Sequence, residues 1–377
     1  MPASTSVETI RDWIGLSFVH GAGPALFYNL INRFGSPTEV LNAPGSVTKE
    51  IGSLRSGYLA ELSDTGRLRR RAERELSELD KIGARALIRD ESDYPELLKH
   101  IGQPPPVIYV RGRRSLLNMT SVAIVGSRAA TSYGRRVSRT IARDLAWSGL
   151  CVVSGLALGI DAEAHAGALD GEGATTGVLG CGLDVVYPRG NQRLFERIKE
   201  FGLLISEYPL GTPPEGYRFP ARNRIIAGLS RAVVVVEASQ RSGSLITVQY
   251  GLEEGRDIFA VPGQVDSVKS AGTHWLVQQG ASLAVSAADI VEQLTIDPGC
   301  RRSQVKDCND SRPTLKPELE ELWSMIEPYP QFREALLQRS GLQPEQFNEA
   351  LLVLELEGLI ETVPGDRVRK LTDGSRR

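Results

Sequence analysis

The sequence predicts an α/β protein: a Rossmann-like, doubly wound, mostly parallel sheet between a small helical (SAM-like or helix-hairpin-helix-like) domain and a C-terminal winged-helix domain. Three observations predict it. From about residue 86 to 296, short apolar runs alternate with helical periodicity, the mark of parallel strands covered on both faces. Residues 7 to 80 carry helical segments without a strand signal. Residues 315–377 give three helical segments and a hairpin, Ile360-Glu361-Thr362 and Arg367-Val368-Arg369 joined by Val363-Pro364-Gly365-Asp366.

At 377 residues the chain is too long for one core, and 41% hydrophobic with 24% charged residues is an ordinary globular composition. A net charge of −2 excludes bulk attraction to nucleic acid, so any such site is a local basic patch. No apolar run approaches the ~20 residues of a bilayer span, and residues 1–6 lack the regions of a signal peptide. A cytoplasmic protein without membrane contact is expected. Cys151, Cys181, Cys300 and Cys308 show no CxxC pairing and read as buried or incidental thiols. The four histidines have no metal-ligand spacing. No metal and no cofactor are expected.

In chain order, Gly21-Ala22-Gly23-Pro24 turns into the helix around Ala25–Ile31. Such a glycine turn can offer N–H groups to phosphate; a helical packing domain without DNA contact fits equally. Arg67 to Lys81 reads as a solvated, charged helix that ends the first domain at 85. The strands fall at Val122–Val125, Cys151–Val153, Thr176–Leu179, Leu203–Ile205, Val233–Val236, Ile258–Val261 and Ser282–Val285. After the first of them, Val137, Ile141 and Leu145 form a buried stripe at i, i+4, i+8. Residues 297–314 have mixed charge and no periodicity, which predicts a linker. The domain after it carries six Lys/Arg against eleven Asp/Glu between 315 and 371. Its third helix, opened by Pro344, begins with the acidic run Glu345-Gln346-Phe347-Asn348-Glu349, which favours protein interaction or packing over reading DNA.

Three loops carry the chemistry. Gly126-Ser127-Arg128 follows the first strand: glycine admits a close phosphate, serine donates, and arginine binds phosphate oxygens in bidentate fashion. The GxGxxG spacing is absent, and the second strand ends in Ser154-Gly155, so NAD or FAD is disfavoured, and Ser154 and Gly155 are expected among the nucleic-acid contacts instead. Asp161 is placed as a helix N-cap and His165 as a helix-face residue. In Phe219-Pro220-Ala221-Arg222-Asn223-Arg224, proline at the first helical position puts both arginines in the opening turn, where the macrodipole disfavours cations unless an anion is bound. Ser242-Gly243-Ser244 to Thr247 opens another helix with donors for an anion. All lie at strand ends of one sheet, so Arg128, Arg222 and Arg224 are expected to line one groove. No helix offers residues for a duplex major groove; a basic groove with Tyr187, Tyr217 and Phe219 nearby suits single-stranded DNA.

From Tyr94 to Leu294 the chain resembles the DNA-processing protein A family (DprA, also called Smf). The likeness runs through Val125-Gly126-Ser127-Arg128, Ser154-Gly155-Leu156-Ala157-Leu158-Gly159-Ile160-Asp161, Tyr187-Pro188, Ser206-Glu207, Phe219 to Ile226, Ser242 to Thr247 and Val261-Pro262-Gly263. The flanking pieces match a three-domain layout of that family. The resemblance implies a bacterial protein that binds incoming single-stranded DNA in natural transformation, shields it and loads the RecA recombinase. It also implies a homodimer through the Rossmann-like domain. DNA contacts carry over to Gly126, Ser127, Arg128, Phe219, Arg222, Asn223 and Arg224. A metal-dependent reading would use Asp161, Glu207 and Glu237. Another, a nucleotide-binding protein or nucleotide hydrolase related to the lysine-decarboxylase-like family, meets Tyr250 where that family has its catalytic glutamate. A non-enzymatic role is expected.

Overall fold

The apolar runs form one sheet of nine strands: β1 (Ala84–Ile88), β2 (Val107–Gly112), β3 (Ser121–Val125), β4 (Cys151–Ser154), β5 (Thr175–Leu179), β6 (Leu203–Ser206), β7 (Ala232–Val235), β8 (Asp257–Ala260) and β9 (Ser282–Leu283). Their spatial order is β1-β2-β6-β5-β4-β3-β7-β8-β9. From β6 to β9 every pair is parallel, whereas β2 is antiparallel to both β1 and β6. The apolar runs named above mark seven of these strands; β1 and β2 are additional, although Val107-Ile108-Tyr109-Val110 is a strong strand signal. The computed structural model describes residues 6–19, 23–45, 61–171, 173–294, 317–327, 331–357, 359–363 and 365–370. Met1–Thr5, Gly21, Ala22, the 297–314 linker, Cys300, Cys308 and Pro364 lie outside the described residues.

Side chains along the outer strands divide between two apolar clusters, as a pleat requires. Leu203 and Ile205 enter one, Leu204 the other; in β2, Ile108 and Val110 separate from Val107 and Tyr109 in the same way. The first cluster takes Leu98 from the short α5 (Glu96–Lys99) and the apolar stripe of α6 (Ser132–Trp147). There Ile141 and Leu145 are buried and Val137 half-buried, as the i, i+4, i+8 spacing predicts. It also takes Ala164 of α7 (Ile160–Asp170), Ile225 of α9 (Arg218–Leu229), Val248 of α10 (Ser244–Glu253), Leu276 of α11 (Ala271–Gln278) and Ile290 of α12 (Ala287–Gln293).

The second cluster joins the N-terminal helices to the sheet. Those helices are α1 (Val7–Ser17), α2 (Pro24–Phe34), α3 (Pro37–Asn42) and α4 (Thr65–Lys81), and α8 (Gln192–Phe201) packs into the same cluster. Ser6, Ser36 and Asp64 cap α1, α3 and α4 by accepting from Thr9, Glu39 and Arg67 amides. Trp13, Leu30, Leu41, Leu68 and Leu79 share this core with Ile88, Tyr109 and Leu204. One core therefore crosses the 85/86 boundary, and the chain forms two compact units, residues 1–301 and 302–377. Helix α4 is amphipathic rather than fully solvated: Leu68, Ala72 and Leu79 are buried beneath its charged face.

In the second unit, α13 (Pro317–Met325), α14 (Arg333–Ser340) and α15 (Pro344–Leu356) pack with a sheet of β10 (Gln331–Phe332), β12 (Arg367–Lys370) and β11 (Ile360–Val363), in that order. Leu322, Leu336, Phe347, Leu354, Ile360 and Val368 are its core. This is the expected winged helix.

Candidate nucleic-acid interface

The winding direction of the main sheet reverses between β3 and β7, with β4 to β6 on one side and β8 and β9 on the other. Such a switch point opens a crevice outside the strand carboxyl ends. A cleft of about 300 Å³ lies there, lined by Gly126, Ser127, Arg128, Asp161, Phe219, Arg222, Asn223, Ser242, Gly243 and Thr247 among others. Nine of the twelve residues named from the sequence thus meet at one place.

The Gly-Ser-Arg loop is held from below. The Ser127 amide donates to the Glu237 carbonyl (2.8 Å), and the Ile160 amide donates to the Ser127 carbonyl (3.2 Å). The buried Glu237 carboxylate accepts from the Thr131 amide (3.0 Å) and from the Thr131 hydroxyl. At Gly126 a Cβ would lie 2.7 Å from Ile160 Cγ1 and 2.9 Å from the Glu237 carbonyl, so only glycine fits. With its backbone fixed, Arg128 is left exposed. Its guanidinium carbon lies 5.8 Å from the centroid of Phe219, and Phe219 stacks on Tyr187 at 5.2 Å and 29°. Tyr187 is 38% exposed. A cation and a two-ring stack therefore stand together at one end of the cleft, the pairing that binds a phosphate and stacks a base.

The second basic segment differs from expectation. Helix α9 begins at Arg218, so Pro220 is its third residue, where a missing N–H still costs no intrahelical bond. Both arginines then lie beyond the opening turn, on different sides of the helix. Arg222 is 4% exposed and forms part of the cleft floor, donating to the carbonyls of Gly155 (2.7 Å) and Val178. A Cβ at Gly155 would sit 2.5 Å from this guanidinium. Burial pulls the Arg222 pKa down to about 10, still a cation at neutral pH. Arg224 is outside the cleft: it is buried and ion-paired with Glu207. Ser154 is also no surface donor, being fully buried with its hydroxyl on the Ile124 carbonyl at 2.6 Å. Arg218 is engaged with the Pro213 carbonyl (2.5 Å) and Glu215 (3.1 Å).

Asp161 is not the N-cap of α7; Gly159 is. The Asp161 carboxylate instead accepts from the amides of Gly155 (3.2 Å) and Ala157 (3.4 Å), tying down the loop after β4. Its burial raises its pKa, and the Arg222 charge opposes the rise. His165 is buried against the Thr175 hydroxyl at 2.8 Å, and burial lowers its pKa to about 3, so it is neutral. On the far wall, Asn223 reaches the Gly243 carbonyl at 3.5 Å, and the Ser242 hydroxyl bonds that of Ser244 (2.7 Å) at the amino end of α10. That positive helix end faces the cleft. Tyr250 lies against the core. A smaller apolar slot beside the cleft is lined by Gly155, Leu158, Leu179, Cys181, Tyr187, Pro188 and Phe219.

The profile of the DNA recombination-mediator protein A family matches residues 85–295, and that of the DprA winged helix domain matches residues 308–366. The chain belongs to the DNA recombination-mediator protein A family. Within that family it is 35% identical to Protein Smf of Synechocystis over 95% of this chain and 98% of the relative. The X-ray structure of DprA from Streptococcus pneumoniae superposes with a TM-score of 0.56 at 36% identity, covering 72% of this chain and 97% of that one. DprA from Helicobacter pylori, solved for its single-stranded DNA binding mode, superposes with a TM-score of 0.52 at 31% identity, covering 56% and 95%. The Gly-Ser-Arg loop of this chain lies at the sheet's switch point, where fold alone directs a ligand.

Proposed function

We propose that this protein binds single-stranded DNA in the switch-point cleft, shields it and delivers it to the RecA recombinase during recombination of incoming DNA. The observation that carries the reading is the exposed Arg128 guanidinium over the Phe219–Tyr187 stack. An unpaired strand offers both a phosphate and a free base face; a duplex hides the second. The family membership and the DNA-binding relative support the same reading. The strand is held without being cut. In support, Asp161 holds loop amides, Glu207 pairs with Arg224, and Glu237 fixes Thr131. The site is cytoplasmic, which fits the free, buried thiols Cys151 and Cys181. No helix among the described residues is long and apolar enough to cross a membrane. The winged helix serves protein contact rather than base reading, in keeping with its acidic third helix.

Fluorescence anisotropy of a labelled single strand against its duplex, over a salt series, tests the first half. Single-strand preference with a log–log salt slope of about −0.7 per phosphate contact is expected; equal affinity for both forms would remove the basis of the reading. Delivery is read as faster onset of RecA ATPase on strands coated with single-strand-binding protein.

The working form is a homodimer through the Rossmann-like domain. Around the β9 edge of the sheet, Val265, Val268, Trp275, Leu283 and Val285 are all exposed, Val265 at 93%. An edge strand with this much apolar surface is suited to pairing with a second copy. Leu283→Glu is expected to halve the mass seen by light scattering without changing the thermal midpoint of the monomer; an unchanged mass would put the dimer surface elsewhere.

A further inference from the structure

We infer that the strand does not end at the cleft but runs on across the sheet rim to a second nucleotide station formed by Tyr133 and Arg136; this rests on the single-strand reading above. Four arginines lie on α6, and three of them are committed: Arg135 pairs with Glu163, Arg139 with Glu163 and Asp170, and Arg143 with Asp144. Arg136 has no carboxylate partner among the described residues. It is exposed, and its guanidinium carbon lies 5.9 Å from the centroid of the Tyr133 ring. That repeats the Arg128–Phe219 arrangement, a free cation beside an aromatic face. Tyr133 is 40% exposed, and its hydroxyl donates to the Pro262 carbonyl at 2.7 Å, which fixes the ring at the end of β8. A large exposed ring pinned by its polar end presents its face to solvent at little entropic cost.

Strand order sets where this station lies. Tyr187 follows β5 and Tyr133 is tied to the loop after β8, which are separated by β4, β3 and β7. Inter-strand steps of about 4.8 Å make that roughly 19 Å. Exposed Arg241, on the loop after β7, falls between them in this order. At the stacked-base rise of about 3.4 Å the two stations are roughly 6 nucleotides apart, and a more extended strand bridges them with fewer. The geometry thus assigns Tyr133 and Arg136 to the same strand that Arg128 holds, several nucleotides along it.

The test is anisotropy with the full chain and labelled oligothymidylates from about 4 to about 16 nucleotides, the range of known single-strand site sizes. Arg128→Ala is expected to weaken binding at every length. Arg136→Ala is expected to leave the shortest strands unaffected and to weaken those beyond roughly 6 nucleotides by about tenfold, with a salt slope lower by about 0.7. Tyr133→Leu should copy the length dependence, and Tyr133→Phe, which keeps the ring, should lose much less. Arg136 is exposed, so its replacement leaves the fold intact and the comparison stands even if Tyr133→Leu folds poorly. Equal losses at all lengths, or no loss at any length, would overturn the second station while leaving the cleft. Loss of the Arg128→Ala effect as well would overturn the cleft reading itself.

Discussion

Arg128→Ala is expected to cost single-stranded DNA binding about 1.5–3 kcal/mol, the worth of a charge-assisted contact, or about ten- to hundredfold in affinity. Three observations set this size. The guanidinium is exposed, among the described residues it has no carboxylate partner, and its loop backbone is already fixed by the Glu237 carbonyl and the Ile160 amide. Removing the side chain therefore takes away a ligand contact and little else, so the thermal midpoint should move by no more than a degree or so, as for an ordinary surface substitution. The loss should be the same for oligonucleotides of different base sequence, since phosphate contacts carry no base information. The magnitude of the salt slope should fall by about 0.7. Arg128→Lys should recover part of the affinity, because a point charge replaces a planar fork that also lies beside Phe219. Unchanged affinity in Arg128→Ala would mean that the cleft takes something other than a nucleic-acid backbone.

What the sequence discloses here follows the range of the forces involved. The central strands are buried on both faces, so Val122–Val125 and Val233–Val236 stand out as unbroken apolar runs, and the observed strands lie within a residue of them. The switch point follows from that strand order, and it explains why loops 115 residues apart, after β3 and β7, meet at one cleft. Burial of single charged residues is a different matter. Arg222 and Arg224 look alike in sequence, yet at about 100° per residue two positions apart they point to nearly opposite sides of a helix. Both could not line one groove, and the helical spacing alone contained that constraint. Which of them faces the cleft depends on Gly155, Val178 and Glu207, all distant in sequence. The same holds for Asp161 and Glu237. Each sits at a strand end as a catalytic carboxylate would, and only the folded chain shows them occupied with the amides of Gly155, Ala157 and Thr131.

Arg222→Ala should separate structure from binding in the opposite direction to Arg128→Ala. Arg222 is buried, its guanidinium donates to the carbonyls of Gly155 and Val178, and it neighbours the buried Asp161. Its removal leaves two buried acceptors unpaired and a carboxylate without its nearest compensating charge. Losing one partner of such an arrangement costs about 3–5 kcal/mol, so a large drop in thermal midpoint is expected before any question of DNA arises. Arg222→Lys should recover little, since an ammonium cannot reach both carbonyls with one planar group. Gly155→Ala should mimic the defect from the other side, because its Cβ would fall 2.5 Å from the guanidinium. The pH dependence has a defined sign. Asp161 already has a raised folded-state pKa, chiefly through burial, and Arg222 opposes that rise. Without Arg222 the pKa climbs further above the unfolded value of about 3.9. A raised carboxylate pKa means stability retained below the unfolded pKa and lost as pH rises through the folded one. The deficit of Arg222→Ala relative to wild type should therefore be largest at neutral pH and shrink on acidification through the carboxylate range. A deficit independent of pH would assign the cost to the two carbonyls alone. A variant as stable as wild type but with a flattened salt slope would instead mean that Arg222 reaches the strand, and that the closed cleft floor opens when DNA is bound.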